Sequence, residues 1–312
     1  MGIFGGTSSG RTKFLRDIYR DRYLYLLFIP VFLLFFGVFR YLPMYGVTIA
    51  FKNFRLADGI FGSAWVGFTH FERLFRSPEF LLILRNTVLL NVYQLVFGFP
   101  IPILLAILIN EMRHITVKRT VQSLLYIPHF ISWVVMGGIA INVLSPSTGI
   151  VNAVLSRFGV EPIYFMTNAG WWPVVFITVG IWKSAGWGTI IYLAAISGID
   201  PQLYEASVID GAGKVRQTWH ITLPGIRSTI AILLILNLGG FIDLGFEQIW
   251  VLQNPAVRSV AEVIPTYVYR IGLLSMQFSY TAALGLFQSL VGLVMIITAN
   301  AVIRAMGENG LW

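Results

Sequence analysis

The sequence predicts an all-α membrane protein with six transmembrane helices, both termini cytoplasmic, and a cytoplasmic helix-turn-helix loop. Three observations lead to this prediction. Of the 312 residues, 56% are hydrophobic and only 12% are charged, about half the charged fraction of an ordinary soluble domain. Apolar stretches of about 20 residues, the length that crosses a bilayer, occur six times along the chain. A long polar loop, residues 200–224, separates the fourth stretch from the fifth.

The composition also excludes several kinds of site and partner. Cysteine is absent, so the chain has no disulfide framework, thiol nucleophile or cysteine-ligated metal centre. The net charge is +8, but Lys and Arg are spread between apolar stretches, which argues against binding to nucleic acid. In a membrane protein this basic balance is typical of loops that face anionic lipid headgroups. Membrane lipid is therefore an expected partner, and nucleic acid is not.

The first three predicted spans lie in the N-terminal half of the chain. The first comprises residues 23–39 and extends further if the Arg40 side chain reaches the interface. Basic residues precede it, as in a signal peptide, but no A-x-A-like cleavage site follows, so an uncleaved span is expected. The second comprises residues 86–110, with Asn86 as its candidate N-cap. The third comprises residues 120–144.

The last three predicted spans are identified by the same criterion of length. The fourth comprises residues 171–196 and is interrupted by Lys183. The fifth comprises residues 228–252. The sixth lies within the uncharged stretch 271–303, and its helix is expected from Thr281 onward. Because the number of spans is even, both termini are expected on the same side of the membrane.

The distribution of Lys and Arg predicts which side that is. If the N-terminus is cytoplasmic, twelve basic residues fall on the cytoplasmic side and eight on the outer side, and short cytoplasmic loops normally carry the excess. The predicted organisation is a cytoplasmic tail of residues 1–22, a membrane domain of residues 23–304 and a cytoplasmic tail of residues 305–312. No tandem repeat or linker indicates a second domain.

The polar loop between the fourth and fifth spans has the signals of two short helices. Asp200 is a natural N-cap and Pro201 suits the first helical position. The Asp210-Gly211 pair then breaks the first helix, and a second helix is expected over residues 213–220. The apolar residues of the first helix are Leu203, Ala206, Val208 and Ile209. They suit an element that docks on a partner; the alternative is a loop that folds back onto its own membrane domain.

This loop resembles a known motif. The residues that carry the resemblance are Glu205, Ala206, Ser207, Asp210, Gly211, Ala212, Leu223 and Pro224. In this spacing they are similar to the EAA loop of permease subunits in binding-protein-dependent ABC importers, which more often has Ala where this chain has Ser207. Both side chains are small, so we expect the docking face to be kept. The resemblance implies that the loop sits in a groove of an ATPase subunit and couples its closing to the membrane helices.

The resemblance to this family extends over nearly the whole chain. Further matching segments are Pro43-Met44-Tyr45-Gly46, Ile49-Ala50-Phe51-Lys52, Trp65-Val66-Gly67-Phe68, Arg85-Asn86-Thr87, residues 245–251 and Gly285-Leu286-Phe287-Gln288. They resemble the carbohydrate branch, in particular permeases of polysaccharide importers such as those for alginate and pectin fragments. The resemblance implies a protein of the bacterial inner membrane that assembles with a second permease subunit, two ATPase subunits and an extracytoplasmic solute-binding protein to import a saccharide.

Polar and aromatic residues in the fourth and fifth spans are candidates for lining a passage for this saccharide. They are Lys183, Trp182, Trp187, Tyr192, Asn237, Asp243, Glu247 and Gln248. Charged side chains at membrane depth usually face a cavity or a partner, and Asp243 and Glu247 are expected on one face of a single fifth helix with Gly240. Lys183 is the available opposite charge. The alternatives are a packing salt bridge for the charges and an interfacial belt for the Trp residues.

The chain itself carries no signal of a cofactor or of an enzyme. It lacks the G-x-x-x-x-G-K-[ST] phosphate loop, so Mg-ATP is expected on the partner ATPase subunits. Its four His residues are scattered without the spacing of metal ligands, and no nucleophile elbow occurs. Two other classes stay open. One is an ion-coupled secondary transporter that uses Asp243 or Glu247 as a proton relay. The other is a membrane-embedded glycosyltransferase with a catalytic carboxylate in an interfacial loop.

Overall fold

The described part of the chain, residues 19–241, 245–305 and 307, is mainly helical in the computed structural model. Four of its helices are long and apolar enough to cross a membrane, and the number reaches six if each of two bent helix pairs is counted as one span. The prediction of an all-α fold is confirmed at this level. In the described part, two short strands, β1 (Lys52–Asn53) and β2 (Ala64–Trp65), pair antiparallel.

Most helices follow one another with short connections, and residues 157–171 form a longer one. The α-helices of the described residues are α1 (Arg22–Phe36), α2 (Leu42–Met44), α3 (Gly59–Gly62), α4 (Thr69–Arg76), α5 (Pro78–Tyr93), α6 (Pro100–Asn110), α7 (Ile115–Phe130), α8 (Trp133–Val143), α9 (Ile150–Ser156), α10 (Trp172–Ser197), α11 (Pro201–Ile209), α12 (Lys214–Gln217), α13 (Leu223–Gly225), α14 (Arg227–Gly239), α15 (Phe246–Leu252), α16 (Arg258–Ala261), α17 (Ile264–Tyr267) and α18 (Phe278–Ala305). The π-helical segments are Gly37–Tyr41, Gln94–Gly98, Thr218–Thr222 and Val268–Leu274, and the 3-10 segments are Tyr45–Phe51 and Pro255–Val257.

The first span, Arg22–Phe51, is longer than the predicted residues 23–39. A π-helical turn, α2 and a 3-10 segment continue the helix beyond α1. No residue of α1 is buried, whereas Ala50 is fully buried where the end of the span packs against α18. The apolar surface of α1 therefore faces molecules outside this chain.

The second span, Pro78–Asn110, begins before the predicted boundary at Asn86. The prediction that Asn86 caps this helix is wrong. Its buried amide instead donates hydrogen bonds to Ser259 O and Glu262 O, both at 3.0 Å. Arg85 is tolerated inside the helix because its guanidinium donates to Ser259 O at 3.2 Å. These bonds fasten the chain around α16 to the second span.

The third predicted span, residues 120–144, is not one straight helix. α7 and α8 are separated by a short break, and their axes differ by 105°. Ser132 caps α8 by accepting a hydrogen bond from Val135 N at 3.3 Å. The carbonyl groups at the end of α7 are satisfied from the fourth span, since Lys183 Nζ donates to His129 O at 2.9 Å. The break is thus stabilised by a cap on one side and by the half-buried ammonium group of Lys183 on the other.

The fifth predicted span, residues 228–252, is wrong as a single helix. α14 ends before Gly240, and α15 is a separate short helix that packs against α8. At its other end, α14 meets the helical segment Lys214–Gly225 at an angle of 60°. The expectation that Glu247 shares one helix face with Gly240 is therefore wrong, because α14 ends before Gly240 and α15 begins after it. Asp243 itself lies outside the described residues.

The fourth and sixth predicted spans agree with α10 and α18 to within a few residues. α10 is the central helix, since it packs against α6, α7 and α15. Trp172 at its start is fully buried and donates a hydrogen bond from its indole to Leu252 O at 2.9 Å. Contacts of this kind make α10 the common wall of the cavities described below.

A buried ion pair stabilises the connection between α15 and α18. Arg270 donates to the two carboxylate oxygens of Glu262 at 2.6 and 3.0 Å, and the Glu262 side chain is only 8% exposed. The hydrogen bond to Glu262 raises the pKa of Arg270 above its already high ordinary value, so the guanidinium stays charged. Two-point pairs of this type fix orientation as well as charge. The connection is therefore a fixed part of the fold.

Candidate functional site

The 200–224 segment contains two short helices joined by a glycine turn. α11 begins at Pro201, and Asp200 caps it by accepting a hydrogen bond from Gln202 N at 2.9 Å, so the predicted N-cap is confirmed. Beyond the end of α11, Gly211 adopts a φ of +75°, a conformation that favours glycine. α12 follows and continues through a π-helical turn toward α14.

Side-chain hydrogen bonds hold the two helices of this segment together. Ser207 Oγ donates to Tyr204 O at 2.7 Å and accepts from Gln217 Nε2 at 3.0 Å, and Gln217 is buried. The Tyr204 hydroxyl lies 3.0 Å from Thr222 Oγ1. Ser207, where the EAA pattern more often has Ala, therefore supplies a hydrogen bond that Ala could not.

The surface of the 200–224 segment combines apolar and acidic side chains. Its exposed large apolar residues are Leu203, Val208, Ile209, Val215 and Trp219. Among the residues that match the motif, Glu205, Ala206, Asp210, Gly211 and Pro224 are exposed, and Ser207, Ala212 and Leu223 are half-buried. A loop folded back onto its own membrane domain would bury such apolar side chains. These side chains are exposed, so the segment does not bury them against its own membrane domain.

An ion pair joins this segment to the end of the second span. Lys214 Nζ lies 2.9 Å from Glu111 Oε2, and Glu111 follows the last residue of α6. Both side chains are partly exposed, so the pair contributes at most about 1 kcal/mol to stability. The pair also shows that the 200–224 segment and the end of α6 lie at the same end of the molecule.

The second candidate site is a cavity of about 230 Å³ between the second, fourth and fifth spans. The polar residues that line it are Asn91, Gln94, Ser184, Tyr192 and Asn237. The rest of the lining is apolar or glycine. Within the described part of the chain, no charged side chain contributes to this lining.

The amides of the cavity keep part of their hydrogen-bonding capacity. Asn91 Nδ2 donates to Thr87 O and Asn237 Nδ2 donates to Leu233 O, both at 2.8 Å. Each of these amides also carries a second N–H and a carbonyl oxygen with two lone pairs. Neutral donors and acceptors next to apolar surface suit a ligand that is rich in hydroxyl groups, since hydroxyls both donate and accept.

The aromatic and amide residues predicted for the passage are divided between several places. Tyr192 and Asn237 line the cavity, and Tyr192 is buried there. Trp182 lines a separate cavity of about 480 Å³ whose lining is apolar except for Thr178. Trp187 stacks on His129 at the end of α7, with ring centroids 4.5 Å apart. Two of these four side chains therefore line the cavity, and the two Trp residues lie elsewhere.

The charged candidates and Gln248 also take other positions. Lys183 Nζ donates to the carbonyl oxygens at the end of α7, so it is not the counter-charge of Glu247, which is exposed on α15. Gln248 is buried and donates to Phe176 O at 2.7 Å. Asp243 lies outside the described residues. Lys183 thus has a structural contact in place of the predicted one, and a passage role for the others stays a prediction.

Three cavity residues were missed by the sequence prediction, namely Asn91, Gln94 and Ser184. A signal for two of them exists, because Asn91 and Gln94 are three residues apart and therefore neighbours on a helix within an otherwise apolar span. The sequence prediction relied mainly on charged residues within apolar spans, and Asn91, Gln94 and Ser184 are neutral. Among the described residues, no group of three or more His, Asp or Glu side chains could hold a metal ion.

Known proteins resemble this chain over almost its whole length. Residues 84–308 match the family described as the inner membrane component of binding-protein-dependent transport systems. Over 302 residues the chain is 47% identical to the polygalacturonan/rhamnogalacturonan transport system permease protein YteP of Bacillus subtilis, which covers 97% of this chain and 94% of that protein. Over 306 residues it is 44% identical to protein LplB of Bacillus subtilis, which covers 98% and 96%.

Two solved structures contain similar chains. The crystal structure of a bacterial ABC transporter involved in the import of the acidic polysaccharide alginate has a chain 42% identical to this one, with a TM-score of 0.86 and coverage of 94% of this chain and 99% of that one. The bacterial alginate ABC transporter in complex with an alginate pentasaccharide-bound periplasmic protein has a chain 41% identical, with a TM-score of 0.87 and coverage of 95% and 99%.

Proposed function

The chain belongs to the family of inner membrane components of binding-protein-dependent transport systems, and from this membership we propose that it is the permease of an ABC importer for oligo- or polysaccharides. It is a multi-pass protein of the bacterial inner membrane and a transport subunit, so ATP hydrolysis belongs to separate ATPase subunits. The observation that carries this function is the near full-length likeness to permease chains of saccharide transporters.

The substrate class is inferred from the relatives together with the cavity. Polygalacturonan and alginate, named in YteP and in the solved transporter, are acidic saccharides, and an acidic polymer such as alginate is the substrate that we propose. The cavity lining offers hydroxyl-binding amides and a tyrosine but no cation among the described residues. This chain therefore binds ring hydroxyls, and the counter-charge for the carboxylates comes from outside this cavity.

The proposed assembly contains this chain, a second permease, two ATPase subunits that bind Mg-ATP, and an extracytoplasmic binding protein that delivers the saccharide. The exposed apolar and acidic surface of the 200–224 segment supports docking on an ATPase. The unburied helix α1 supports a neighbouring subunit or lipid around the first span. An ion-coupled secondary transporter would have no use for the exposed 200–224 surface, and this favours the importer.

The proposed orientation follows from the same surfaces. We place both termini and the 200–224 segment in the cytoplasm and count each bent helix pair as one span, which gives six. The ion pair between Lys214 and Glu111 supports this arrangement, because it brings the second-to-third loop and the fourth-to-fifth loop to one end of the molecule, as the six-span topology requires. The excess of Lys and Arg in these loops supports a cytoplasmic position for that end.

The coupling role of the 200–224 segment is tested by two substitutions. We expect Glu205→Lys to weaken docking because it reverses the charge of an exposed side chain. We expect Gly211→Val to misdirect α12, because a β-branched residue at a φ of +75° costs on the order of 1–3 kcal/mol. Both should lower saccharide uptake at least tenfold and release the ATPase, measured by uptake and by co-purification of the ATPase.

Gly213→Ala is the matched control for this experiment. It lies in the same turn, has open space around the position of a new Cβ, and has a φ of −73°, which any residue adopts. It should keep both uptake and ATPase attachment. If the Glu205 and Gly211 variants also keep both, the 200–224 segment is not the coupling element.

A further inference from the structure

The middle of the second span departs from α-helical geometry. Gln94–Gly98 is π-helical, and Phe99 N donates to Gln94 O at 3.2 Å, a bond between residues five apart. Pro100 follows, and its missing N–H and its ring disturb a regular α-helical turn at this point. π-Helical turns inside α-helices are rare and occur frequently at functional sites. The π-helical turn at Gln94–Gly98 is therefore a candidate position for a functional side chain.

The side chain at the start of this turn is incompletely hydrogen-bonded. Gln94 Oε1 is buried, and among the buried side-chain nitrogen and oxygen atoms of the described residues it is the one without a hydrogen-bond partner. Native proteins leave few buried polar atoms in this state, and such atoms commonly serve a function or a ligand. Within the described part of the chain, the Gln94 oxygen therefore keeps its full capacity to accept a hydrogen bond.

Two glycines make room for this amide on either side. A Cβ at Gly98 would lie 2.6 Å from Gln94 Nε2, which is closer than real contacts, and a Cβ at Gly180 on the fourth span would lie 3.2 Å from Gln94 Oε1. A larger residue at Gly98 would therefore displace the amide. Both helices thus leave space around a side chain whose oxygen has no partner in the protein.

The amide borders the cavity between the spans. Gln94 lines it together with Tyr192 of the fourth span and Asn237 of the fifth. The last torsion of a Gln side chain is broad, so the amide can turn its oxygen or its NH₂ toward a ligand in the cavity. The amide offers two donors and one acceptor, a combination that matches the hydroxyl groups of a sugar ring.

We propose that Gln94 is a saccharide-contact residue that binds a ring hydroxyl as the substrate passes through the membrane. Gly98 leaves the space that the Gln94 amide occupies at the cavity wall. This inference rests on the proposed function, because it requires a saccharide in the cavity. It assigns to this chain a determinant of saccharide preference in the second span. The substrate reaches Gln94 after the binding protein has released it. The contact with Gln94 therefore affects the rate at which the saccharide passes through the membrane.

The test uses the complete importer, with its binding protein and ATPase subunits, in liposomes. The probes are labelled alginate pentasaccharide and a labelled polygalacturonan pentasaccharide, which differ in the arrangement of their ring hydroxyls. Gln94→Leu removes the hydrogen-bonding groups at similar size, and Gly98→Ala displaces the amide without removing it. Gln122→Leu is the matched control, because it makes the same change on α7 away from the cavity. Rates are normalised to the amount of assembled complex.

We expect Gln94→Leu to lower the maximal uptake rate of the preferred probe about fivefold, the effect of losing one hydrogen bond, and to change the ratio of the two uptake rates. Gly98→Ala should shift this ratio in the same direction, and Gln122→Leu should leave it unchanged. The saccharide concentration for half-maximal uptake should stay constant, because the binding protein sets it.

Two outcomes would overturn the role of Gln94. One is wild-type rates for both probes in Gln94→Leu. The other is a fall of both rates by the same factor with an unchanged ratio, which indicates a packing role. Failure of the proposed function has a different signature, because the wild-type complex would then take up neither probe. That result would also contradict the role of Gln94.

Discussion

At the residue scale, Lys183 shows how a tertiary contact changes the meaning of a charge. In the sequence it is a cation within an apolar span, where charges usually face a cavity or a partner. In the structure its ammonium group donates to the carbonyl oxygens of Pro128, His129 and Ile131 and lies 5.2 Å from the centroid of the Trp133 ring. The cation thus closes the end of α7, whose last carbonyls have no partner within the helix.

This contact predicts a loss of stability when the cation is removed. Lys183→Met keeps a long apolar side chain but removes the ammonium donor from His129 O and Ile131 O, while Pro128 O keeps its hydrogen bond from Ile131 N. Because hydrogen bonds to charged groups are worth about 1.5–3 kcal/mol, we expect destabilisation of about 2–3 kcal/mol, seen as a lower midpoint of thermal unfolding in detergent. The preference between saccharides should not change.

Arg119→Met is the control for this prediction, since it removes an exposed positive charge from α7. It should change the unfolding midpoint little, as surface substitutions away from special features usually do. A Lys183 variant as stable as the wild type but altered in saccharide preference would contradict the capping role. It would restore the passage role that the sequence suggests.

At the scale of elements, close packing of α7 against α10 depends on a residue without a side chain. Gly186 of α10 lies so near to α7 that an added Cβ would overlap Leu125 O. Helix pairs in membranes use small residues at such crossings so that their backbones can approach. The approach also brings Lys183, one turn earlier on α10, within reach of the end of α7.

Gly186→Ala should therefore push the two helices apart. The atom that would be overlapped is the backbone oxygen of Leu125, which cannot rotate away. We therefore expect the free energy of unfolding to fall by about 3 kcal/mol, the upper end of the range for overpacking. The measurement is the yield of folded, assembled complex after solubilisation, together with its unfolding midpoint.

Gly138→Ala provides the comparison, because an added Cβ at this position on α8 meets nothing within 4 Å. Alanine in a helix is favoured over glycine by about 1 kcal/mol, so this variant should be as stable as the wild type or more stable. Equal behaviour of the two variants would show that the crossing of α7 and α10 tolerates a larger separation.

At the scale of the whole molecule, the proposed topology follows from which loops share an end. The 200–224 segment and the end of α6 are joined by the ion pair of Lys214 and Glu111. The segment around α9, between the third and fourth spans, is expected at the other end. From the charge bias we propose that the first end is cytoplasmic, and this can be tested with single cysteines because the chain has none of its own.

His114→Cys and Arg157→Cys are suitable reporters, since both residues are exposed. In intact spheroplasts, a membrane-impermeant thiol reagent should label the Arg157 variant and not the His114 variant. Both should be labelled once the membrane is opened. Labelling of the His114 variant in intact spheroplasts would invert the topology and remove the 200–224 segment from the reach of an ATPase.

Several features of the fold could be predicted because their signals are local. The lengths of apolar stretches predicted α10 and α18 to within a few residues, and the Asp200-Pro201 pair predicted the start of α11. Breaks within spans could not be predicted in this way. The end of α7 is bonded by Lys183 from another helix, and Arg85 and Asn86 bond the chain around α16, which is far away in the sequence.

The sequence by itself determined the all-α membrane class, the spans that contain no break, and the family. Apolar length, helix caps and the EAA spacing each depend only on residues that are close together in the sequence. Tertiary structure alone decided which polar side chains meet. It joined Tyr192 and Asn237 with Gln94 around one cavity and turned Lys183 toward α7. The physical reason is that hydrophobicity drives a helix into the membrane whatever its neighbours are, whereas the partner of a polar group depends on how the helices pack.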